Sequence, residues 1–121
     1  MKKIGIIGAM ELEVETLKSK MNVVKTTKKA NMEFFEGTLN GVEVVIVRSG
    51  IGKVNAGICT QILADLFDVT HIINTGIAGS LDAQIDIGDI VVSTDLIHHD
   101  MNAVAFGYPV GQIPQMEAFS F

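Results

Sequence analysis

The fold is decided by the N-terminal stretch Ile4-Gly5-Ile6-Ile7-Gly8-Ala9-Met10-Glu11-Leu12-Glu13-Val14-Glu15. Residues 4–7 are apolar and are closed by a glycine, which predicts a short buried strand. An apolar stripe at helical spacing follows, made by Met10, Val14, Leu17 and Met21. The strand therefore leads directly into a helix, and in a parallel α/β sheet ligands bind at this junction, beyond the carboxyl ends of the strands.

The junction carries three glutamates, Glu11, Glu13 and Glu15, and no cation within the stretch. A carboxylate suits the activation of a neutral nucleophile such as water, whereas phosphate calls for arginine, lysine or bare backbone amides. On a helical wheel Glu13 lies nearest the apolar stripe, by a modest margin over Glu11, and Glu15 points further out. Acidic residues in a first turn also complement the helix dipole, so a purely structural role stays open on composition alone.

The next segments predict a hairpin and a second helix. The β-rich runs 32–39 and 42–47 flank Asn40-Gly41, a dipeptide that favours a two-residue type I′ turn. After Ser49-Gly50-Ile51-Gly52, apolar residues at helical spacing predict a helix from about Lys53 to Phe67.

The remaining chain predicts two further strands and a loop. Residues 71–74 and 90–93 are short apolar runs typical of buried strands. From His98 onwards no period is visible, and prolines and glycines indicate a long loop. The order of strand, helix, hairpin, helix and strand indicates an α/β fold with a mixed sheet and helices on its faces.

Composition limits the class of protein. A chain of 121 residues can form one domain, and 48% hydrophobic against 19% charged residues indicates a globular fold. The net charge of −5 is spread along the chain and forms no basic stripe, which argues against nucleic acid as a partner. No apolar run approaches the roughly 18 residues of a membrane span. Cys59 is the only cysteine, so we expect no disulfide and a cytoplasmic location.

The turn at Ser49-Gly50-Ile51-Gly52-Lys53 lies between a predicted strand and a predicted helix, as phosphate-binding loops do. It fails the Walker pattern at Val47 and Val54, and Asn55 occupies the third glycine position of the dinucleotide fingerprint. What remains is a tight turn that lets backbone approach a ligand or a neighbouring element. Both alternatives are open on the sequence alone.

A second small-residue turn, Thr75-Gly76-Ile77-Ala78-Gly79, follows a predicted strand. Its side chains leave the backbone accessible, so a flat ligand such as a purine or a sugar could lie against it. Glycine could equally serve close packing at a crowded crossover.

The chain also contains residue types that bind metals or act as nucleophiles, but their spacing does not favour either role. His98-His99-Asp100 contains metal-ligand types, but adjacent residues of an extended segment point to opposite sides, so we expect no metal. Cys59 lies in the second predicted helix with no nearby histidine in sequence, which favours a packing role over a nucleophilic one.

Taken together, five segments resemble the bacterial 5′-methylthioadenosine/S-adenosylhomocysteine nucleosidases of the nucleoside phosphorylase superfamily. The motifs are Ile-Gly-Ile-Ile-Gly-Ala-Met-Glu at 4–11, Ser-Gly-Ile-Gly-Lys-Val at 49–54, Asn-Thr-Gly-Ile-Ala-Gly at 74–79, Gly-Asp-Ile-Val-Val-Ser at 88–93, and Ala-Phe-Gly-Tyr with Gly-Gln-Ile-Pro at 105–114. They run the whole length of the chain in the right order and are far more specific together than any one motif. The resemblance implies a three-layer fold with a mixed central sheet, of which residues 1–121 form the N-terminal part.

The resemblance implies hydrolysis of the N-glycosidic bond of 5′-methylthioadenosine and S-adenosylhomocysteine, giving adenine and a thioribose. No metal or organic cofactor is implied. Glu13 matches the base that activates water against the anomeric carbon, in agreement with the charge of the junction. The resemblance also implies substrate-binding positions and a homodimer in which one subunit reaches the alkylthio pocket of the other. These positions are the backbone at Gly79 and Ala78, the pocket lining at Ala9, Met10 and Ile51, and the residues across the interface at Phe106 and Pro114.

The chain departs from this pattern in two respects. Many relatives have serine where this chain has Ile77, close to the attacking water. The aspartate that protonates adenine and the glutamate that holds the ribose belong to later segments of the family, and nothing here matches them. We therefore expect a truncated or fragmentary chain that is nearly inert by itself. The alternatives are a phosphorolytic nucleoside phosphorylase, a futalosine hydrolase, and a non-catalytic nucleoside-binding fragment.

Overall fold

A computed structural model describes residues 2–117 and places five strands in one sheet with two helices. The elements are β1 (Lys3–Gly8), α1 (Glu11–Lys20), β2 (Asn22–Lys29), β3 (Met32–Leu39), β4 (Val42–Arg48), α2 (Lys53–Phe67), β5 (His71–Asn74) and a 3₁₀ turn (Val104–Phe106). The described chain divides into two compact units, one up to Gly79 and one from Ser80 onwards. The sheet and both helices belong to the first unit.

The sheet has mixed direction, as the sequence predicted. Its strand order is β2-β3-β4-β1-β5, with β1 parallel to both β4 and β5 and with β3 antiparallel to β2 and β4. Asn40 and Gly41 both have positive φ, as a type I′ turn requires, which confirms the predicted hairpin between β3 and β4. The parallel pairs bring the carboxyl ends of β1, β4 and β5 to the same edge of the sheet.

Apolar side chains cover both faces of the sheet and create three layers. On one face α1 places the fully buried Val14 against Ile6, Val44 and Ile46. On the other face α2 packs Leu63 and Phe67 against the sheet, and the Phe67 ring stacks on Phe34 at a centroid distance of 4.9 Å. Burying one apolar stripe per helix against a sheet that is apolar on both sides is what stabilises this arrangement.

Cys59 belongs to the core beneath α2, as the packing interpretation predicted. Its side chain is fully buried, and burial raises the pKa of the thiol to about 11. The thiol therefore stays protonated at neutral pH and is a poor nucleophile.

One strand predicted from the sequence was wrong, and one observed strand was not predicted. Residues 90–93 form no strand, and Ile90, at 92% exposure, has no packing surface. A strand needs a hydrogen-bonded neighbour, and none lies beside this segment within residues 2–117. Conversely, β2 was not predicted because its lysines and threonines lack an apolar alternation. It is an edge strand, and lysines there discourage pairing with other chains.

No helix among residues 2–117 is long and apolar enough to cross a lipid bilayer.

Replacing Gly57 with alanine should stabilise the first unit by about 1 kcal/mol, because Gly57 lies inside α2 and a methyl group added there meets nothing within 4 Å. Urea or thermal unfolding of the original and substituted chains measures the difference in the free energy of unfolding. Gly52→Ala is the matched control with the opposite expected sign. Its added methyl group also has no neighbour within 4 Å, whereas its backbone φ of +101° is unfavourable for alanine. That variant should lose about 1–2 kcal/mol from backbone strain alone. Equal effects of the two substitutions would contradict this account.

Candidate active site

Glu13 lies in the first turn of α1, where the chain leaves β1. Its side chain is half-buried, and its Oε2 accepts a hydrogen bond from the backbone N–H of Met10 at 2.9 Å. Val14, the next residue, is fully buried and anchors this turn on the sheet. The carboxylate therefore folds back over the start of its own helix, where backbone N–H groups and the helix dipole favour a negative charge.

Two glycines make room for this carboxylate. A methyl group at Gly76 would lie 2.8 Å from Glu13 Oε1, and one at Gly8 would lie 3.0 Å from Glu13 Cβ. Gly8 ends β1, whereas Gly76 follows β5 after Thr75, whose N–H donates to the carbonyl of Ile7 at 2.8 Å. The carboxylate thus lies against bare backbone at the end of β1 and in the turn that follows β5.

The other two glutamates of the helix are differently placed. Glu11 forms ion pairs with Lys18 and with Arg48, the latter with 3.8 Å between Glu11 Oε2 and Arg48 Nε. Glu15 is exposed. Glu13 has no ion pair with any residue of the described chain. Glu13 is therefore the one glutamate of α1 that is both partly buried and without an ion pair among residues 2–117, which makes it the candidate base.

A cleft of about 470 Å³ opens beside this junction, between the ends of β1 and β4. We call it the β1–β4 cleft. Its lining residues are Ala9, Met10, Glu11, Ala30, Asn31, Met32, Arg48, Ser49, Gly50, Ile51 and Asn55. The fold thus brings together three positions predicted to line a pocket, Ala9, Met10 and Ile51. Glu13 is not part of this lining, because its carboxylate faces Gly8 and Gly76.

The loop that begins at Ser49 is shaped by its backbone. Ser49 is buried and donates its N–H to the Gly8 carbonyl at 2.9 Å, which ties the end of β4 to the end of β1. Gly50 and Gly52 both have positive φ, so the conformation itself requires glycine. Asn55, the residue that breaks the dinucleotide fingerprint, donates from Nδ2 to the Ile51 carbonyl at 2.7 Å. The loop holds Ile51 exposed at the cleft.

Arg48 and Asn31 line the β1–β4 cleft but were not anticipated from the sequence. Arg48 belongs to the lining because β1 and β4 pair in parallel with Gly8 opposite Arg48. Its positive charge therefore lies next to the acidic junction after β1. Asn31 enters from the turn between β2 and β3, where both Ala30 and Asn31 have positive φ. Its place directly after the predicted strand 42–47, at the strand end where ligands bind in parallel sheets, was the sequence signal that could have indicated Arg48.

The turn after β5 is open. Ala78 and Gly79 are exposed, and a methyl group at Gly79 would meet nothing within 4 Å. The backbone there is therefore accessible, as the purine or sugar interpretation needs, and Gly79 is not required for close packing. Gly76 differs from Gly79 in this respect, because a methyl group at Gly76 would collide with the Glu13 carboxylate. The two glycines look alike in sequence.

The remaining predicted site residues lie in the second unit. Phe106 ends the 3₁₀ turn and is 82% exposed, and Pro114 is exposed as well. Their predicted role across a dimer interface stays a prediction. His98-His99-Asp100 also lies here, and His99 Nδ1 is 4.0 Å from Asp100 Oδ1. Nowhere in residues 2–117 do three or more metal-ligating side chains gather around one point.

A mixed sheet lies between two helix layers, and a half-buried glutamate stands in the first turn of the helix that follows β1. Residues 3–121 match the family described as the Phosphorylase superfamily. The chain belongs to this superfamily. It is 53% identical over 119 residues to a 5′-methylthioadenosine/S-adenosylhomocysteine nucleosidase from Halalkalibacterium halodurans, with 98% of this chain and 52% of the relative aligned.

Solved structures agree with this assignment. A nucleosidase of the same name from Colwellia psychrerythraea, in complex with adenine, superposes with a TM-score of 0.91 at 52% identity, covering 93% of this chain and 47% of that one. The Neisseria meningitidis nucleosidase, in complex with methylthio-immucillin-A, gives a TM-score of 0.93 at 42% identity, covering 98% and 51%. The nucleoside phosphorylase fold is therefore confirmed, and the chain spans about half the length of the curated relatives it matches.

Proposed function

We propose that residues 1–121 are the N-terminal part of a single nucleoside phosphorylase-like domain that hydrolyses 5′-methylthioadenosine and S-adenosylhomocysteine to adenine and the thioribose. The observation that carries this proposal is the Glu13 carboxylate, which lies beside the carboxyl end of β1 and has no ion pair among residues 2–117. Relatives that are about half identical over nearly the whole chain and are named as nucleosidases support it. The protein would act in the cytoplasm, in methionine salvage and methyl-cycle recycling, as a homodimer.

In the proposed reaction the C1′–N9 bond breaks and its electron pair leaves with adenine. Water adds its oxygen to C1′ and gives one proton to Glu13. The Glu13 carboxylate can accept that proton, since it is held in place by the Met10 N–H and has no ion pair among residues 2–117. Adenine needs a proton to depart as a neutral base, and no residue of this chain matches the acid that supplies it. The accessible backbone at Ala78 and Gly79 would support the nucleoside.

Ile77 follows directly after Gly76, the glycine that touches Glu13, and its side chain is 87% exposed. An apolar side chain offers a water molecule no hydrogen bond. Placement of the attacking water would therefore rest on the Glu13 carboxylate and on backbone groups nearby.

Adenine release tests the proposal directly. The chain alone should release almost no adenine from 5′-methylthioadenosine, because protonation of the leaving group is missing. A complete domain, made by joining residues 1–121 to the C-terminal half of the Halalkalibacterium halodurans relative, should release it. Release by the complete domain must not require phosphate.

Three results would contradict the proposal in different ways. Formation of a ribose 1-phosphate that depends on added phosphate would assign the chain to the phosphorylases. Cleavage of futalosine in preference to both thioadenosines would change the substrate. A well-folded complete domain that binds nucleoside and cleaves none of them would show a binding protein.

A further inference from the structure

The mechanism above leaves one cation of the β1–β4 cleft unused. Arg48 closes β4, lies opposite Gly8 in the parallel pairing, and lines the cleft together with Met10 and Ile51. Its side chain is more than half exposed. An arginine stays charged at every physiological pH and presents five N–H donors in one plane, a geometry that suits carboxylates.

The existing partner of Arg48 holds it only loosely. Glu11 Oε2 lies 3.8 Å from Arg48 Nε, which is longer than a hydrogen bond, and Lys18 binds the other oxygen of the same carboxylate. This contact is to Nε, and no side-chain hydrogen bond holds the guanidinium within residues 2–117. Terminal nitrogens therefore remain to bind a ligand that enters the cleft, without removal of a buried ion pair.

The cleft also continues past Arg48. A second cavity of about 300 Å³, the charged groove, shares four lining residues with the β1–β4 cleft: Glu11, Asn31, Met32 and Arg48. Its further lining consists of Lys18, Lys28, Glu33 and Phe35. A ligand in the cleft can therefore extend a charged tail past the guanidinium into a groove of mixed charge.

We propose that Arg48 binds the α-carboxylate of the amino-acid tail of S-adenosylhomocysteine, and so distinguishes this substrate from 5′-methylthioadenosine. The inference rests on the proposed function. The two substrates share adenine and the thioribose, but one ends in a zwitterionic amino acid and the other in a methyl group. Glu11 and Arg48 place a negative and a positive group side by side, which is the complement of that zwitterion.

Arg48→Gln tests this in the complete domain defined above. The KM for S-adenosylhomocysteine should rise about fivefold to tenfold, because one exposed charge-assisted contact is lost. Its kcat should stay unchanged, since the tail contact is the same in ground and transition states. Both constants for 5′-methylthioadenosine should stay unchanged. Added salt should weaken the binding of S-adenosylhomocysteine to the complete domain with Arg48 and have less effect on its binding to the Arg48→Gln variant.

Lys29→Gln is the matched control, because it removes the same charge from β2 and lines neither cavity. It should change neither substrate. Arg48→Lys keeps the charge and should recover part of the affinity. Calorimetric titration with both nucleosides gives the same comparison without turnover.

Each outcome has a separate meaning. Equal changes for both substrates, or none, would overturn the role of Arg48 and leave the nucleosidase proposal intact. A complete domain with Arg48 in place that cleaves neither substrate would overturn the proposed function. Inorganic phosphate that competes with 5′-methylthioadenosine only when Arg48 is present would show a phosphate site in place of a carboxylate site.

Discussion

Exchanging Glu13 for glutamine in the complete domain lowers turnover about a hundredfold or more and leaves KM for 5′-methylthioadenosine nearly unchanged. Glutamine keeps an oxygen that accepts the Met10 N–H, so the turn and the fold should persist. It cannot take a proton from water, because its amide is not basic. Steady-state release of adenine measures kcat, and binding of an unreactive nucleoside analogue measures the affinity separately.

Glu15→Gln is the control for this experiment. It makes the same chemical change on the same helix, two residues further, at an exposed position. Turnover should stay within a factor of about two, since a surface charge change has little effect on stability or on the site. Glu11 would be a poor control because it pairs with Arg48 in the β1–β4 cleft. If the Glu13→Gln and Glu15→Gln variants had the same kcat, Glu13 would have no part in the chemistry.

Exchanging Gly76 for alanine should lower turnover about tenfold to a hundredfold with little loss of stability. The added methyl group would lie 2.8 Å from Glu13 Oε1, which is too close for non-bonded atoms. The atom that must move is the end of a flexible side chain, so the backbone of the sheet can stay in place. A catalytic carboxylate displaced by even about 1 Å loses much of its rate advantage.

Adenine release and urea unfolding should be measured on the same Gly76→Ala preparation. Gly57→Ala adds the same methyl group in α2, where nothing lies within 4 Å, and should keep full turnover. A fall in turnover together with a large fall in stability would indicate general disruption of the fold. Full turnover of Gly76→Ala would show that the Glu13 carboxylate does not need its present position.

Part of the site could be predicted from local sequence. The acidic junction and the position of Glu13 near the apolar stripe of α1 are properties of a short stretch, whereas the role of Glu13 as a base came from the family resemblance and stays a prediction. In the structure Glu13 is half-buried and has no ion pair among residues 2–117, whereas Glu11 pairs with Lys18 and Arg48 and Glu15 is exposed. The hairpin and α2 were also predicted well, because their signals, a turn dipeptide and an apolar period, are local.

Errors and omissions arose where a residue depends on distant partners. Residues 90–93 have strand-forming side chains, but a strand exists only beside another strand. The edge strand β2 lacks an apolar pattern and is held by its ladder to β3. Arg48 reaches the acidic junction through the parallel pairing of β1 with β4, which no short window of sequence contains.

The sequence by itself determined the alternation of strands and helices, the acidic character of the first junction and the family to which the chain belongs. These follow from periodicity, turn chemistry and motif order, which are carried by neighbouring residues. Only the tertiary structure decided that Gly76 touches the Glu13 carboxylate while Gly79 stays open, and that Arg48 shares a cleft with Met10 and Ile51. The physical reason is that parallel strands meet at one edge of the sheet whatever their separation along the chain, so the chemistry of that edge depends on register and packing.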